Sequence, residues 1–264
     1  MIYIKKILLS EMKRGLLNKR YMITMAISVA FSVTFSVYMF LYQINKNDVA
    51  VFKDIYTNWL SVSNGSIIQT IFFILLPLLI VFPFGTSFFT DIEQGYLKNI
   101  YTRVDRHKYL VSKYFAVFVS GGSVAVVPMA TSFIGALLYT MIYEDGIYSL
   151  DYNLSGFFVE QPIIYSLVYL LLMFLFFGSL TCMSLPITYY FKSSFFISLF
   201  PLTVAFFITI IIQLSYLKEC FCVGIVIYGF GGCSLMIGTG IIAMILSVIS
   251  FVPYYFVGLK KDII

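Results

Sequence analysis

Long stretches of this sequence contain no charged residue. Asp, Glu, Lys and Arg make up only 11% of its 264 residues, whereas 61% are hydrophobic and the mean hydropathy is +0.96. Four of the uncharged intervals are 21–45, 114–143, 161–191 and 193–217. Each is longer than the roughly 20 apolar residues that a helix needs to cross a bilayer. The sequence therefore predicts a multi-pass membrane protein.

Motifs of several enzyme and transporter classes are also absent. The single histidine, His107, lies in a basic segment, and there is no metal-binding His-Glu-x-x-His motif. No glycine is followed by lysine, so the sequence has no Walker A loop. No charge lies in the middle of a predicted span, which argues against an ion-coupled transporter and against a channel lined by charged rings. We therefore expect no catalytic residue, no metal site and no cofactor on this chain.

The uncharged segments predict helices, because long unbroken apolar runs lack the two-residue alternation of transmembrane strands. The predicted fold is all-α, with six transmembrane helices in a single domain over 1–264. The spans are expected at about 20–43, 67–90, 112–142, 162–190, 194–217 and 235–258. Trp59 precedes the second span and is predicted to lie at the outer membrane interface.

Lys and Arg are distributed unevenly among the segments between the spans. If the N-terminus is cytoplasmic, only Lys46, Lys53 and Lys218 of the 17 Lys and Arg lie outside. Acidic residues show the opposite preference, with Asp48, Asp54, Glu144, Asp145, Asp151, Glu160 and Glu219 outside. The positive-inside rule then places both termini in the cytoplasm of a cell-membrane protein. Topology accounts for the net charge of +5, so no nucleic-acid partner is indicated.

Residues 1–19 are predicted to form an amphipathic helix at the inner membrane surface. Ile4, Leu8, Met12 and Leu16 recur every four residues and form an apolar stripe beside a basic face. The alternative is a short basic flank that only sets the topology.

The uncharged run from Cys220 to Leu259 is too long for one crossing. Two crossings would place Lys260 and Lys261 outside, against the distribution of basic residues. Its first part is rich in glycine, so we predict a short outer or re-entrant helix at 220–234 before the last span.

Small residues at helical spacing occur in the first and last predicted spans. Such residues allow close contact between helices in a bilayer. The candidates for this contact are Ser28, Ser32, Ser36, Thr239 and Ala243. Packing within one chain and contact between two chains are both open interpretations.

The segment 91–113 is the most distinctive of the predicted cytoplasmic segments. It begins with acidic residues, continues through Gly95 and a short amphipathic stretch, and ends in a basic cluster. A short helix with exposed charges suits docking to a soluble partner. The alternative is an ordinary positively charged cytoplasmic loop.

This segment resembles the loop between spans two and three of type-2 ABC exporter permeases. The family pattern is roughly Asp/Glu-x-x-x-Gly-x-x-Lys, then a basic residue and a Ser-Lys pair that opens span three. The matching positions here are Asp91, Gly95, Lys98, Arg106, Ser112 and Lys113. The basic N-terminal helix, the six spans and the extra outer segment also match the family.

The resemblance implies a permease that pairs with a second, identical or different, permease chain. Separate ATP-binding-cassette ATPase subunits would bind ATP and Mg²⁺, so this chain would not itself be an enzyme. The resemblance assigns coupling to the ATPase to the segment 91–113, through Asp91, Glu93, Gly95, Lys98, Arg103, Arg106 and Lys113. Of these, the charged residues expected to contact the ATPase are Glu93, Lys98, Arg103 and Arg106. The small residues of the first and last spans become dimer-interface candidates.

The cargo implied by an aromatic, uncharged path is hydrophobic or amphipathic, such as an antimicrobial peptide. Two alternatives share much of the sequence pattern. One is a non-transporting immunity or scaffold protein of the membrane, and the other is an intramembrane enzyme.

Overall fold

The computed structural model describes residues 2–45, 58–61, 66–142, 162–214 and 233–260. All regular elements in these ranges are helices, which confirms the predicted all-α class. They are α1 (Ile2–Leu16), α2 (Lys19–Asn45), α3 (Ile67–Val81), α4 (Ser87–Glu93), α5 (Tyr96–Tyr101), α6 (Arg106–Ile142), α7 (Pro162–Cys182), α8 (Ser184–Ile187), α9 (Ser194–Leu214) and α10 (Cys233–Lys260). The predicted outer segment at 220–234 lies outside the described residues, except for 233–234, which begin α10.

Within the described residues, five stretches are long and apolar enough to cross a bilayer. They are Lys19–Tyr42, Arg106–Tyr139, Ile163–Ile187, Ser194–Ile211 and Gly238–Lys260. Their number and composition are those of a multi-pass membrane protein, as the sequence predicts.

The second predicted span, 67–90, is not one continuous helix. α3 ends at Val81 after 15 residues, and a turn leads into α4. Pro83 lies in this turn, where it has no N–H to continue the helical hydrogen bonds. The sequence-based range was therefore too long for a single helix.

Two neighbouring helices, α2 and α6, run side by side in the same direction. The Tyr21 hydroxyl lies 3.0 Å from Ser123 Oγ, and Ser32 Oγ lies 2.8 Å from Thr131 Oγ1. The sequence separation between the partners stays close to 100, which is the signature of a parallel pair in constant register.

The helix α6 also packs against α7 and α10, which both run in the opposite direction. Along α10, the Tyr114 hydroxyl lies 2.9 Å from Ser250 Oγ, and Arg106 Nη1 donates to the Leu259 carbonyl at 3.4 Å. Along α7, an added Cβ at Gly178 would lie 3.0 Å from the Phe118 ring. As residue numbers rise in α6 they fall in both partners.

The two ends of the helix bundle differ in charge. We call the end where α2 and α6 begin the charged end, and the opposite end the far end. All charged residues of the described ranges belong to α1, the starts of α2 and α6, the segment 91–105, the residues just after α8, or the end of α10. Both ends of the described chain therefore lie at the charged end.

Segment 58–61 is buried at the far half of the bundle. Trp59 is fully buried, its Nε1 donates to the Met129 carbonyl at 2.8 Å, and its ring centroid lies 5.0 Å from that of Phe133 and 5.2 Å from that of Tyr169. Trp59 therefore faces the inside of the bundle, and its position at the outer membrane interface stays a prediction. Burial between helices satisfies the indole N–H and also covers the whole ring with apolar contacts.

Candidate functional site

Four charged side chains and one tyrosine meet where α1, α4 and α6 come together. Lys113 Nζ lies 2.6 Å from Asp91 Oδ2 and 3.2 Å from Glu11 Oε2. Arg14 pairs with the same two carboxylates, at 2.7 Å from Asp91 Oδ1 and 2.8 Å from Glu11 Oε1. The Tyr109 hydroxyl donates to Asp91 Oδ2 at 2.7 Å. We call Glu11, Arg14, Asp91, Tyr109 and Lys113 the ionic cluster.

Helical spacing brings these side chains together. Glu11 and Arg14 are three residues apart on α1, and Tyr109 and Lys113 are four apart on α6, so each pair occupies one helix face. Asp91 comes from α4, which the turn after α3 directs towards both helices. The site therefore exists only when three separate elements are correctly packed.

Both carboxylates of the ionic cluster and Lys113 are almost completely removed from solvent, whereas Arg14 is partly exposed. Lys113, Asp91 and Glu11 are 0%, 1% and 2% exposed. A buried charge is tolerated only when it is paired and hydrogen-bonded, and here two cations face two carboxylates. The ring of Phe84 lies 4.2 Å below Lys113 Nζ, which adds a cation–π contact.

The environment keeps the Asp91 carboxylate ionised. Burial alone would raise its pKa, but the charge of Lys113 and the hydrogen bonds from Arg14 and Lys113 outweigh burial and lower the pKa below its usual value. For Arg14, burial lowers the pKa, but the hydrogen bond and charge of Asp91, together with Glu11, raise it overall. Asp91 therefore acts as a fixed acceptor for three donors. A proton-transferring group would instead need a pKa near neutral pH.

The predicted coupling residues divide into buried and exposed sets. Asp91 and Lys113 belong to the ionic cluster and are not accessible to a partner protein. Glu93, Lys98 and Arg103 are exposed on the segment between α4 and α6. The structure therefore leaves three of the predicted charges available for contact.

Gly95 and Arg106 have structural roles in this segment. Gly95 precedes α5 with φ of +68°, in the left-handed region that favours glycine. The Arg106 guanidinium lies 5.1 Å from the Tyr101 ring centroid and reaches the end of α10. Arg106 is thus half-buried and joins the segment to the last helix.

Sequence analysis did not identify Glu11, Arg14 or Tyr109 as parts of one site. One signal was available for Glu11. It is the single acidic residue in α1 and follows Ile4 and Leu8 at helical spacing, so it falls on the apolar face. A carboxylate in that position needs a buried cation, which a second element must supply.

The predicted dimer-interface residues contact other helices of the same chain. Ser28 and Ser32 are buried, and Ser32 bonds α6 through Thr131. An added Cβ at Gly135 of α6 would come within 2.9 Å of Ser36 Oγ. Thr239 and Ala243 of α10 are also buried, and Ser36 is half-buried. Packing within the chain accounts for these small residues, and pairing of two chains stays a prediction.

Neither a metal site nor a known relative identifies the protein. Within the described ranges, no three His, Cys, Asp or Glu side chains are grouped to hold a metal ion. No family model, no curated protein and no solved structure matches the chain. The functional conclusion therefore rests on the sequence pattern and on the geometry of the ionic cluster.

Proposed function

We propose that this protein is the membrane-spanning permease subunit of an ABC exporter in the cell membrane. It moves hydrophobic or amphipathic cargo, such as antimicrobial peptides, out of the cell, using ATP that a separate ABC ATPase subunit hydrolyses. The observation that supports this proposal is the ionic cluster, which joins α1, α4 and α6 directly beside the exposed charges of the segment 91–105.

The cluster gives a route for force from a docked ATPase into the bundle. Asp91 bonds Arg14 of α1 and Lys113 of α6, so a displacement of α4 pulls on both helices. Separating a buried ion pair leaves an uncompensated charge, at a cost of about 3–5 kcal/mol. The three helices therefore move as one unit, as a coupling element requires.

The direction of the helices supports six spans. α2 and α6 run in parallel, so the chain between them must return from the far end to the charged end. It does so between Trp59, which contacts the far half of α6, and Asp91 in the ionic cluster. We count α3, its following turn and α4 as this second crossing. The outer helix at 220–234 stays a sequence-based part of the proposal.

The charge distribution supports the cytoplasmic position of both termini. Basic residues gather at the charged end, which the positive-inside rule assigns to the cytoplasm. A soluble ATPase would meet Glu93, Lys98 and Arg103 there, since these side chains are exposed. We expect a complementary, mainly acidic surface on the ATPase, and a second permease chain in the complete transporter.

Charge reversal in the exposed segment tests the proposal. The full chain is purified in mild detergent together with the ABC ATPase encoded in its operon, as wild type and as Lys98→Glu/Arg103→Glu. We expect the double variant to lose co-purification and stimulated ATP hydrolysis by about tenfold or more, because like charges then face each other. Lys192→Glu is the matched control, since it reverses an exposed charge at the same end but after α8.

The outcomes separate the candidate functions. If only the double variant loses co-purification and stimulated ATP hydrolysis, the result supports both the permease function and the docking segment. A wild-type chain that binds no ATPase overturns the permease proposal and leaves the immunity or scaffold function. Equal binding by all three proteins keeps the permease but places docking elsewhere.

A further inference from the structure

A cavity of about 230 Å³ lies between α2 and α6 at the far end of the bundle. Its lining is mostly apolar and includes Val37 and Phe40 of α2 and Ala136 of α6. Asn58 and Tyr139 add polar atoms to the lining. The ionic cluster is at the other end of α6, so this cavity is a separate feature.

Side-chain sizes along the two helices explain why the cavity exists. The helices approach closely where Ser36 faces Gly135. One turn later, the rings of Phe40 and Tyr139 meet edge to face with centroids 6.2 Å apart. The small side chain of Ala136 does not fill the space that these two rings hold open.

We propose that this cavity binds one aromatic ring of a hydrophobic ligand, and in the permease proposal that ring is a side chain of the exported cargo. A closed apolar cavity of about 150 Å³ accepts benzene. The cavity between α2 and α6 is half open and has a volume of about 230 Å³, which is sufficient for one substituted ring. The edge-to-face pair Phe40 and Tyr139 offers ring faces and edges to a third ring.

The position of the cavity fits a ligand that arrives through the apolar part of a membrane. Both walls belong to helices long and apolar enough to cross a bilayer. Val37 and Phe40 are also exposed on the outer surface of α2, so the cavity is reached from between the helices. A water-soluble ligand would gain little from such a lining, whereas an aromatic side chain transfers favourably into it.

Trp59 is a built-in reporter for this cavity. It is the single tryptophan of the chain and follows Asn58, which lines the cavity. Its ring packs in one hydrophobic group with Phe133 and Ala136, and Ala136 is itself a cavity residue. A quencher that enters the cavity therefore comes close to the indole.

Quenching of Trp59 fluorescence by 4-bromobenzyl alcohol tests the proposal on the full chain alone. We expect saturable quenching of the wild type, because a single site fills. Val37→Phe adds a ring at the cavity and should raise the half-saturating concentration by about tenfold. Val33→Phe is the matched control. Val33 lies one turn before Val37 on α2 and is equally exposed, at 53% against 52%. Unlike Val37, Val33 does not line the cavity. Ala136→Val narrows the cavity from the inner wall and should weaken binding as well.

Three results would overturn the inference. Quenching that never saturates, or that is equal in Val37→Phe and Val33→Phe, means that the alcohol only partitions into detergent. Saturable quenching by a brominated acyl chain but not by the ring means that a lipid chain occupies the cavity. Because no ATPase is present, this test fails or succeeds independently of the co-purification experiment.

Discussion

At the residue scale, the ionic cluster pairs two cations with two carboxylates, so that each buried charge is compensated by the others. Lys113 is fully buried and has two carboxylate partners, Asp91 and Glu11. Arg14 bonds the same two carboxylates from the side that is partly exposed. Removing one member of such a group costs more than removing an exposed charge, because its partners stay buried without compensation.

Asp91→Asn should therefore destabilise the protein far more than its small change in shape implies. We expect a loss of about 3–5 kcal/mol in the free energy of unfolding, since Lys113 and Arg14 lose their shared carboxylate. Denaturant titration in detergent micelles, followed by circular dichroism, measures this loss. The control is Glu93→Gln, which neutralises an exposed carboxylate in the same segment and should change stability by less than about 0.5 kcal/mol.

The pH dependence of stability gives an independent check of Asp91. Its pKa is lower in the folded protein than the value of about 3.9 expected on unfolding. Its contribution to stability is thus fully present above about pH 4 and is lost as the pH falls below that. Wild-type stability should decline more steeply than that of Asp91→Asn between about pH 5 and 3. Parallel profiles for the two proteins would show that the carboxylate is not paired as described.

At the element scale, glycines set the separation of α6 and α7. An added Cβ at Gly121 would lie 2.0 Å from Thr181 Oγ1, and one at Gly122 would lie 2.8 Å from the Phe174 ring. Gly178 of α7 meets Phe118 in the same contact. Close approach of this kind replaces the hydrophobic driving force that is missing between helices in lipid.

Gly121→Ala should consequently separate α6 from α7. The new methyl group cannot occupy the position of the buried Thr181 side chain, so we expect a loss of about 1–3 kcal/mol in stability from overpacking. Thermal unfolding in detergent measures it. At Gly240 of α10, an added Cβ would make only an ordinary contact, 3.5 Å from Leu172 Cδ2, so Gly240→Ala serves as the tolerated comparison. Equal losses in both variants would contradict the predicted role of the α6–α7 contact at Gly121, because helix propensity alone favours alanine over glycine at both positions.

The same elements show what one sequence can and cannot predict. Apolar length located the spanning helices, but α6 begins at Arg106 and not at about 112, because charged residues continue a helix as readily as apolar ones. The sequence predicts Asp91 and Lys113 as coupling residues but does not show that they lie buried in the ionic cluster. Their partners on α1 are 77 and 102 residues away, and no periodicity within a segment shows which distant elements will meet.

At the scale of the whole molecule, the directions of the helices agree with the distribution of charge between the two ends of the bundle. α2 and α6 run away from the charged end, and α7 and α10 return to it. The loop after α3, α8 with the loop after it, and the end of α10 meet at the charged end. Ser184 Oγ of α8 donates a hydrogen bond to the Gly85 carbonyl. The Tyr189 hydroxyl, just after α8, donates to the Tyr254 carbonyl of α10. A bundle with all its described charges at one end is suited to lie across a bilayer in a single orientation.

Cysteine accessibility in intact cells should therefore separate the two ends of the bundle. Single cysteines are placed in a cysteine-free chain as Lys98→Cys, Lys192→Cys and Ile67→Cys, all at exposed positions. A membrane-impermeant maleimide should label Ile67→Cys, at the start of α3, and should reach the other two only after permeabilisation.

Each departure from that pattern has a distinct meaning for the architecture. Labelling of Lys98→Cys and Lys192→Cys in intact cells, without Ile67→Cys, would invert the orientation and remove the docking segment from any cytoplasmic ATPase. Labelling of Ile67→Cys only together with Lys98→Cys would mean that α3 and α4 do not cross. The chain would then have five spans, its termini could not share one side of the membrane, and the permease architecture would be wrong. The predicted pattern holds only if the short α3, its turn and α4 together complete one crossing, with the ionic cluster at its cytoplasmic end.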